Sequence, residues 1–167
     1  LALCEPKESA TVADHILTGA IVPDTSVILK WYLREQEPDR ERALALLDAY
    51  LEGQVHLVAP DLLPYEVANV LRYKPDWDAV RVAQVLDSLF ALRLEFVPLS
   101  ITTLHRAVDL AYTHNIAVYD AAFLALAEGS GAVFVTADEG LVRRTQDRPQ
   151  VCPLTKILPA SKDSAVE

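Results

Sequence analysis

Ala20-Ile21-Val22-Pro23-Asp24-Thr25-Ser26-Val27-Ile28-Leu29-Lys30-Trp31-Tyr32-Leu33 is the stretch that decides the fold. Its first three residues form a short apolar run stopped by Pro-Asp, which reads as a buried strand. Thr25 and Ser26 then offer hydroxyls to cap a helix over 27–33. A buried strand that hands over directly to a helix is the opening of a β-α unit. In open parallel sheets ligands bind beyond the carboxyl ends of the strands. Asp24 therefore stands in a functional position if the rest of the chain repeats the pattern.

The pattern repeats. Residues 38–52 read as a helix, with Ala43, Leu44, Leu47 and Leu51 at helical spacing and Gly53 to end it. Residues 55–59 read as a strand between Gly53 and Pro60, and 62–73 as a helix with Leu63, Val67, Val70 and Leu71 apolar. A further amphipathic helix covers 77–92, a short strand 96–97, and a helix 100–114 with Ser100 as its N-cap. A strongly apolar helix covers 118–128 and ends at Gly129 and Gly131. A strand at 132–136, a short helix at 139–145 and a last strand at 151–154 complete the series. Short apolar strands alternating with helices predict an α/β fold, a parallel sheet with helices on both faces.

Composition limits what such a chain can do. At 167 residues it has room for one domain of ordinary size, and 51% hydrophobic residues exclude a wholly disordered chain. Cys4 and Cys152 are too few for a disulfide framework or a four-cysteine zinc site, and they suit a reducing compartment, so a cytoplasmic location is expected. No apolar run reaches the roughly 18 residues of a membrane span. The chain opens at Leu1 and carries no Met. Residues 1–19 lack the apolar core of a signal peptide and read as an extension or expression remnant, with a short helix near 12–17. The domain is expected over 20–154 and a flexible polar tail over 155–167. Fifteen Lys and Arg against 24 Asp and Glu give a net charge of −9, opposite to that of a simple cationic nucleic-acid binder. Either the partner is no polyanion, or a cation stands between the two.

Four acids decide between these. Asp24 closes the first strand and Asp138 follows the 132–136 strand, so both belong at one edge of the sheet. Each also has an ordinary reading, Asp24 as the opening of a turn and Asp138 as the cap of 139–145. Glu66 lies three after Leu63 and four before Val70, on the stripe expected to face inward. A carboxylate there is costly unless paired, with Lys30 or Arg72 as the available partners, or bound to a metal. Asp120 interrupts the apolar run 118–127 in its first turn, where a helix dipole favours an acid. Converging carboxylates raise one another's pKa. A hard divalent ion with oxygen ligands, Mg²⁺ or Mn²⁺, resolves that conflict and can promote displacement at phosphorus.

These segments resemble a known family. Residues 22–31, Val-Pro-Asp-Thr-Ser-Val-Ile-Leu-Lys-Trp, are similar to the opening of PIN domains, in particular the VapC-type toxins of toxin–antitoxin pairs. Residues 60–71, 119–127 and 134–141 resemble the second, third and fourth acidic motifs, in family order and at family-like spacing. The resemblance implies a three-layer α/β/α sandwich and a metal-dependent endoribonuclease whose ligands to Mg²⁺ or Mn²⁺ match Asp24, Glu66, Asp120 and Asp138. Asp24, Asp120 and Asp138 would hold the metal most directly, and Glu66 a second metal or the attacking water. Ser26, Asn69 and Thr136 match positions that support the acids or the substrate. The family's chemistry leaves 5′-phosphate and 3′-hydroxyl ends. Its members dimerise and are silenced by an antitoxin that reaches into the acidic pocket, so a VapB-like antitoxin and a homodimer are the implied partners. Pro23 departs from the apolar residue expected before Asp24, and the 74–78 loop is short.

Other chemistries find little support. His15, His56, His105 and His114 form no i,i+4 ligand pair, and His114 reads as a surface or helix-end residue. There is no Walker loop, G-x-G-x-x-G or G-x-S-x-G. A phosphatase of the D-x-D type would need an acid where Ser26 stands. Arg143 and Arg144, with Lys30, Arg34 and Arg72, are candidate phosphate contacts. Trp31 and Tyr32 are candidates for base stacking or for core. The apolar faces of 27–33 and 77–92 suit a dimer or antitoxin contact. A non-catalytic PIN-like binding module, a small phosphatase and a DNA nuclease are the alternatives to the ribonuclease.

Overall fold

The computed structural model describes residues 19–33 and 37–157. The helix expected near 12–17 lies outside the described residues. Five strands form one parallel sheet in the order β3-β2-β1-β4-β5: β1 (Gly19–Pro23), β2 (Val55–Pro60), β3 (Glu95–Val97), β4 (Val133–Thr136) and β5 (Val151–Pro153). Seven helices among the described residues connect them: α1 (Thr25–Tyr32), α2 (Arg40–Leu51), α3 (Leu63–Arg72), α4 (Ala79–Ala91), α5 (Ile101–His114), α6 (Val118–Ser130) and α7 (Glu139–Arg144). The central strand shows why the layers number three. Ile21 and Val22 point to opposite faces of β1, and both are almost completely buried. The α/β/α sandwich expected from the sequence is the observed fold. No helix among the described residues is long and apolar enough to cross a membrane.

Pro23 ends the central strand without breaking it. The β1–β2 register closes at Ile21↔Leu57, whereas Pro23 pairs with Val135 of β4 and the next N–H, that of Asp24, donates to the Val135 carbonyl at 2.8 Å. Ladder alternation puts the missing proline N–H on the β2 side, past the last paired residue, so no bond is lost there.

Several boundaries and faces differ from expectation. Helix α1 starts at Thr25, with Asp24 in the N-cap position but with its side chain accepting no cap hydrogen bond. The hydroxyls of Thr25 and Ser26 are thus not caps. The 27–33 face, expected at an interface, is core: Val27, Ile28, Leu29, Trp31 and Leu33 are all buried. Trp31 is a core residue whose Nε1–H donates to the Ala43 carbonyl at 2.8 Å. Helix α2 buries Ala43, Leu46 and Ala49, so of the residues chosen from spacing Ala43 faces inward, Leu44 and Leu47 pack half-buried beside it, and Leu51 is 63% exposed. Helix α3 buries Leu63, Val67 and Leu71 while Val70 looks outward. Helix α6 continues past Gly129 to Ser130, and Gly131 closes it at φ 67°, the left-handed conformation that favours glycine. At the other end, Ile157 packs into the core beyond the expected boundary at 154.

Candidate active site

Because β1 and β4 are parallel neighbours in register, their carboxyl ends lie side by side, and the residues just beyond them meet. Asp24 is only 5% exposed, a depth at which an unaided carboxylate is costly. Its Oδ2 accepts from Ser26 Oγ at 2.6 Å and from Thr136 Oγ1 at 2.7 Å. Each hydroxyl has one proton, and both protons are committed to Asp24. The two hydroxyl oxygens therefore act as acceptors toward the β4–α7 turn: Ala137 N–H donates to Ser26 Oγ and Asp138 N–H to Thr136 Oγ1, both at 3.0 Å. One carboxylate oxygen thus fixes the backbone that carries Asp138. Burial pushes the Asp24 carboxyl above its usual range, the two hydroxyls oppose that rise, and the charge of Asp138 adds to it.

Glu66 enters from the first turn of α3, beside the Leu63–Val67–Leu71 stripe rather than on it, and is half-buried. Neither Lys30 nor Arg72 pairs with it. Lys30 Nζ lies 3.5 Å from Glu37 Oε2, and the Arg72 guanidinium sits over the Tyr73 ring. Instead Thr25 Oγ1 donates to Glu66 Oε2 at 2.5 Å. Burial raises the Glu66 carboxyl, Thr25 lowers it, and Asp24 and Asp120 raise it further. Asp120, in the first turn of α6, is pushed up to about 6, first by burial and then by the charges of Asp24 and Asp138; the Ala117 backbone and Arg144 act in the other direction. Asp138 is exposed, and its Oδ1 accepts from Leu141 N–H at 3.0 Å, so it caps α7 as its ordinary reading required. It is at the same time a charge felt by both Asp24 and Asp120.

The four acids thus surround one region, each felt by at least one other. The donor set is all oxygen, which suits a hard divalent cation, and the cluster carries mutual repulsion that such a cation would relieve. The carboxylates stand apart in this arrangement: among the described residues no three acidic, histidine or cysteine side chains are close enough to hold one ion.

The remaining candidates separate. Ser26 and Thr136 touch Asp24 directly. Asn69, one turn along α3 from Glu66, is exposed and lines a groove of about 520 Å³ with Trp77, Val82 and Leu86 of the α4 region, a groove that none of the four acids lines. Arg143 and Arg144 are exposed at the end of α7, with Arg143 Nη1 3.7 Å from Glu139 Oε2. Gly140 lets this turn close: a Cβ there would stand 3.0 Å from Asp138 Oδ1 and 3.6 Å from Arg144 Nη1.

Two residues play larger parts than the sequence reading gave them. Thr25 is one, and its only signal was its place between Asp24 and Ser26. His114 is the other. It is buried, with Nδ1 3.0 Å from the Arg144 carbonyl and Nε2 accepting from Arg148 Nε at 3.0 Å. The second bond requires a bare Nε2, so Nδ1 carries the proton and donates to Arg144. His114 thus anchors the backbone beneath Arg144, and no spacing pattern announces it.

The chain is similar to known proteins. The PIN domain family model matches residues 21–146. The chain is 32% identical over 129 residues to Ribonuclease VapC3 of Pyrobaculum aerophilum, an alignment that covers 74% of this chain and 93% of that protein. Among solved structures, VapBC2 from Rickettsia felis bound to a promoter DNA fragment matches with a TM-score of 0.58 at 15% identity, over 80% of this chain and 96% of the other. A toxin–antitoxin complex from Klebsiella pneumoniae matches with a TM-score of 0.56 at 17% identity, over 80% and 97%. Those matches show a likeness of fold, and the family model spans Asp24, Glu66, Asp120 and Asp138. The chain belongs to the PIN domain family.

Proposed function

We propose that this protein is a divalent-metal-dependent endoribonuclease and the toxin of a type II toxin–antitoxin pair, working in the cytoplasm. The observation that carries the reading is the cluster itself: Asp24, Glu66 and Asp120 are each raised by burial and by the charge of at least one other of the four acids at the carboxyl edge of the sheet. A fold tolerates such repulsion where function needs it. The similarity to Ribonuclease VapC3 over 93% of that protein supplies the substrate class.

Asp24, Asp120 and Asp138 are the residues that would hold Mg²⁺ or Mn²⁺ most directly, and Glu66 would hold a second cation or the attacking water, so that its orientation bears on cation affinity as well as on rate. When bound, the cation supplies Lewis acidity at phosphorus and makes water a stronger nucleophile. The chain does the rest. Ser26 and Thr136 hold Asp24 by Oδ2. Thr25 holds Glu66 by Oε2, so that Oε1 is the oxygen set to take a proton from the attacking water. Arg143 and Arg144 stand exposed beside Asp138, where the chain's own cations can meet a phosphate. Attack by water leaves a 5′-phosphate and a 3′-hydroxyl. The same acidic pocket suits a basic side chain of a VapB-like antitoxin, and the exposed Val80 and Phe90 of α4 suit a contact with that antitoxin or a second copy.

The test is cleavage of an RNA pool by purified, antitoxin-free protein with Mg²⁺, with Mn²⁺ and with EDTA, alongside Asp24→Asn, with product ends typed. Cutting that needs the metal, disappears in Asp24→Asn and leaves 5′-phosphates is the expected result. Cutting that survives EDTA or the substitution overturns the assignment.

A further inference from the structure

Thr25 and Ser26 are consecutive residues at the start of α1, about 100° apart around the helix axis. Their hydroxyls therefore address different neighbours. Ser26 faces β4 and reaches Asp24, while Thr25 faces α3 and reaches Glu66. A threonine at a helix start commonly turns its hydroxyl onto nearby backbone N–H groups. This one makes no such cap bond and spends its single proton on Glu66 Oε2 at 2.5 Å.

The contact is built to hold direction. Thr25 is buried, and a β-branched side chain has little χ1 freedom. Glu66 has three side-chain torsions and, among the described residues, no Lys or Arg partner. Its orientation rests on Thr25. We infer that Thr25 is a positioning residue for Glu66, its hydroxyl fixing Oε2 and thereby presenting Oε1 to the reacting centre; this rests on the nuclease reading of the acidic cluster. Small displacements of such a group are costly, since productive geometry tolerates only about 0.5 Å.

The test compares Thr25→Val, which keeps the shape and removes the hydroxyl, with Thr25→Ser, which keeps the hydroxyl. Mn²⁺ binding is measured by calorimetry without RNA, kcat and KM on an RNA oligonucleotide, and folding by thermal unfolding. Thr25→Val is expected to bind Mn²⁺ about tenfold more weakly and to lose about tenfold or more in kcat, with KM within about twofold. Thr25→Ser is expected to stay within about threefold of the original protein in both. If Thr25→Val does not fold, Thr25→Ala removes the same hydroxyl and is read in its place. A hydroxyl-free variant that matches the original protein in Mn²⁺ affinity and kcat overturns the inference. So does Thr25→Ser falling as far as Thr25→Val, because the γ-methyl would then be what matters. An original protein that binds no Mn²⁺ and cuts no RNA defeats the nuclease reading and this inference together. An original protein that does both beside an unaffected Thr25→Val defeats the role of Thr25 alone.

Discussion

Asp120→Asn should make the metal-free protein more stable at neutral pH. Asp120 stands in the first turn of α6, where a helix dipole alone would favour the charge and make its removal costly. The structure gives the opposite balance, because burial and the charges of Asp24 and Asp138 push its carboxyl from 3.8 to about 6. That displacement corresponds to about 3 kcal/mol of disfavoured ionisation. Solvent reaches this half-buried group, and screening lowers the effective penalty to about 1–2 kcal/mol. The sign follows from linkage. A folded-state value above the unfolded one means that the folded protein binds more protons between pH 4 and 6. Its stability is therefore fully present below about pH 4 and is lost as pH rises through about 6. For a domain of this size the gain in Asp120→Asn is about 3–6 °C in Tm at pH 7, shrinking toward zero near pH 4. Thermal unfolding of both proteins from pH 4 to 7.5 in EDTA measures it. Adding Mn²⁺ should reverse the order at pH 7, since only the original protein gains a full ligand set. An Asp120→Asn protein that is less stable at pH 7, or equally shifted at every pH, would refute the crowded-carboxylate account and leave Asp120 as a dipole-stabilised surface acid.

Two further outcomes test the support around the site. Thr136→Val removes a fully buried hydroxyl that donates to Asp24 and accepts from Asp138 N–H; it should cost about 1.5–3 kcal/mol in urea unfolding at unchanged m, with Thr136→Ser recovering most of it. A loss below about 0.5 kcal/mol would mean that Asp24 is held by other groups. His114→Leu strands the Arg144 carbonyl and takes one acceptor from Arg148, which keeps Glu128 at 3.6 Å and Asp147 at 3.5 Å, and should cost about 1–2 kcal/mol, while Asp147→Asn, exposed and no nearer than 3.5 Å to Arg148 or 3.6 Å to His114, should cost less than about 0.5 kcal/mol.

The fold was legible because its signals are local. A short apolar run stopped by Pro23-Asp24, another between Gly53 and Pro60, and Gly131 at a helix end each fix an element without help from distant residues. What was not legible was the choice between two adjacent stripes on one helix. In α2 the series read from spacing, 43, 44, 47 and 51, overlaps at Ala43 with the series 43, 46, 49, and only packing against the rest of the fold selects the second. Helix α3 poses the same choice, Val70 against Leu71, and there the answer matters to function. With Leu71 inward, Glu66 lies on the edge of the buried stripe, deep enough to be raised and shallow enough to reach solvent. The acids themselves could be found from sequence because charge in an apolar run is costly and stands out. Thr25 and His114 could not, because a threonine and a histidine fit many environments and only tertiary neighbours give them a task.

The charge balance gives the most general test of how this protein meets RNA. A net charge of −9 repels a polyanion, so attraction must come from a few local cations and from the divalent ion. Arg143 and Arg144 are the exposed basic pair beside the acids. Two phosphate contacts predict a slope of about −1.4 for the logarithm of RNA affinity against the logarithm of monovalent salt. A tenfold rise in salt then weakens binding only about 25-fold, and less where screening also relieves the general repulsion. A conventional cationic binder with six to ten contacts would lose several orders of magnitude over the same range. Fluorescence anisotropy with a labelled RNA strand, Asp24→Asn to prevent cutting and Mn²⁺ held constant, measures the slope. Replacing both arginines by glutamine should bring it close to zero. A slope steeper than about −4 would place RNA on an extended basic surface, and the strand would have to be held by more than the site described.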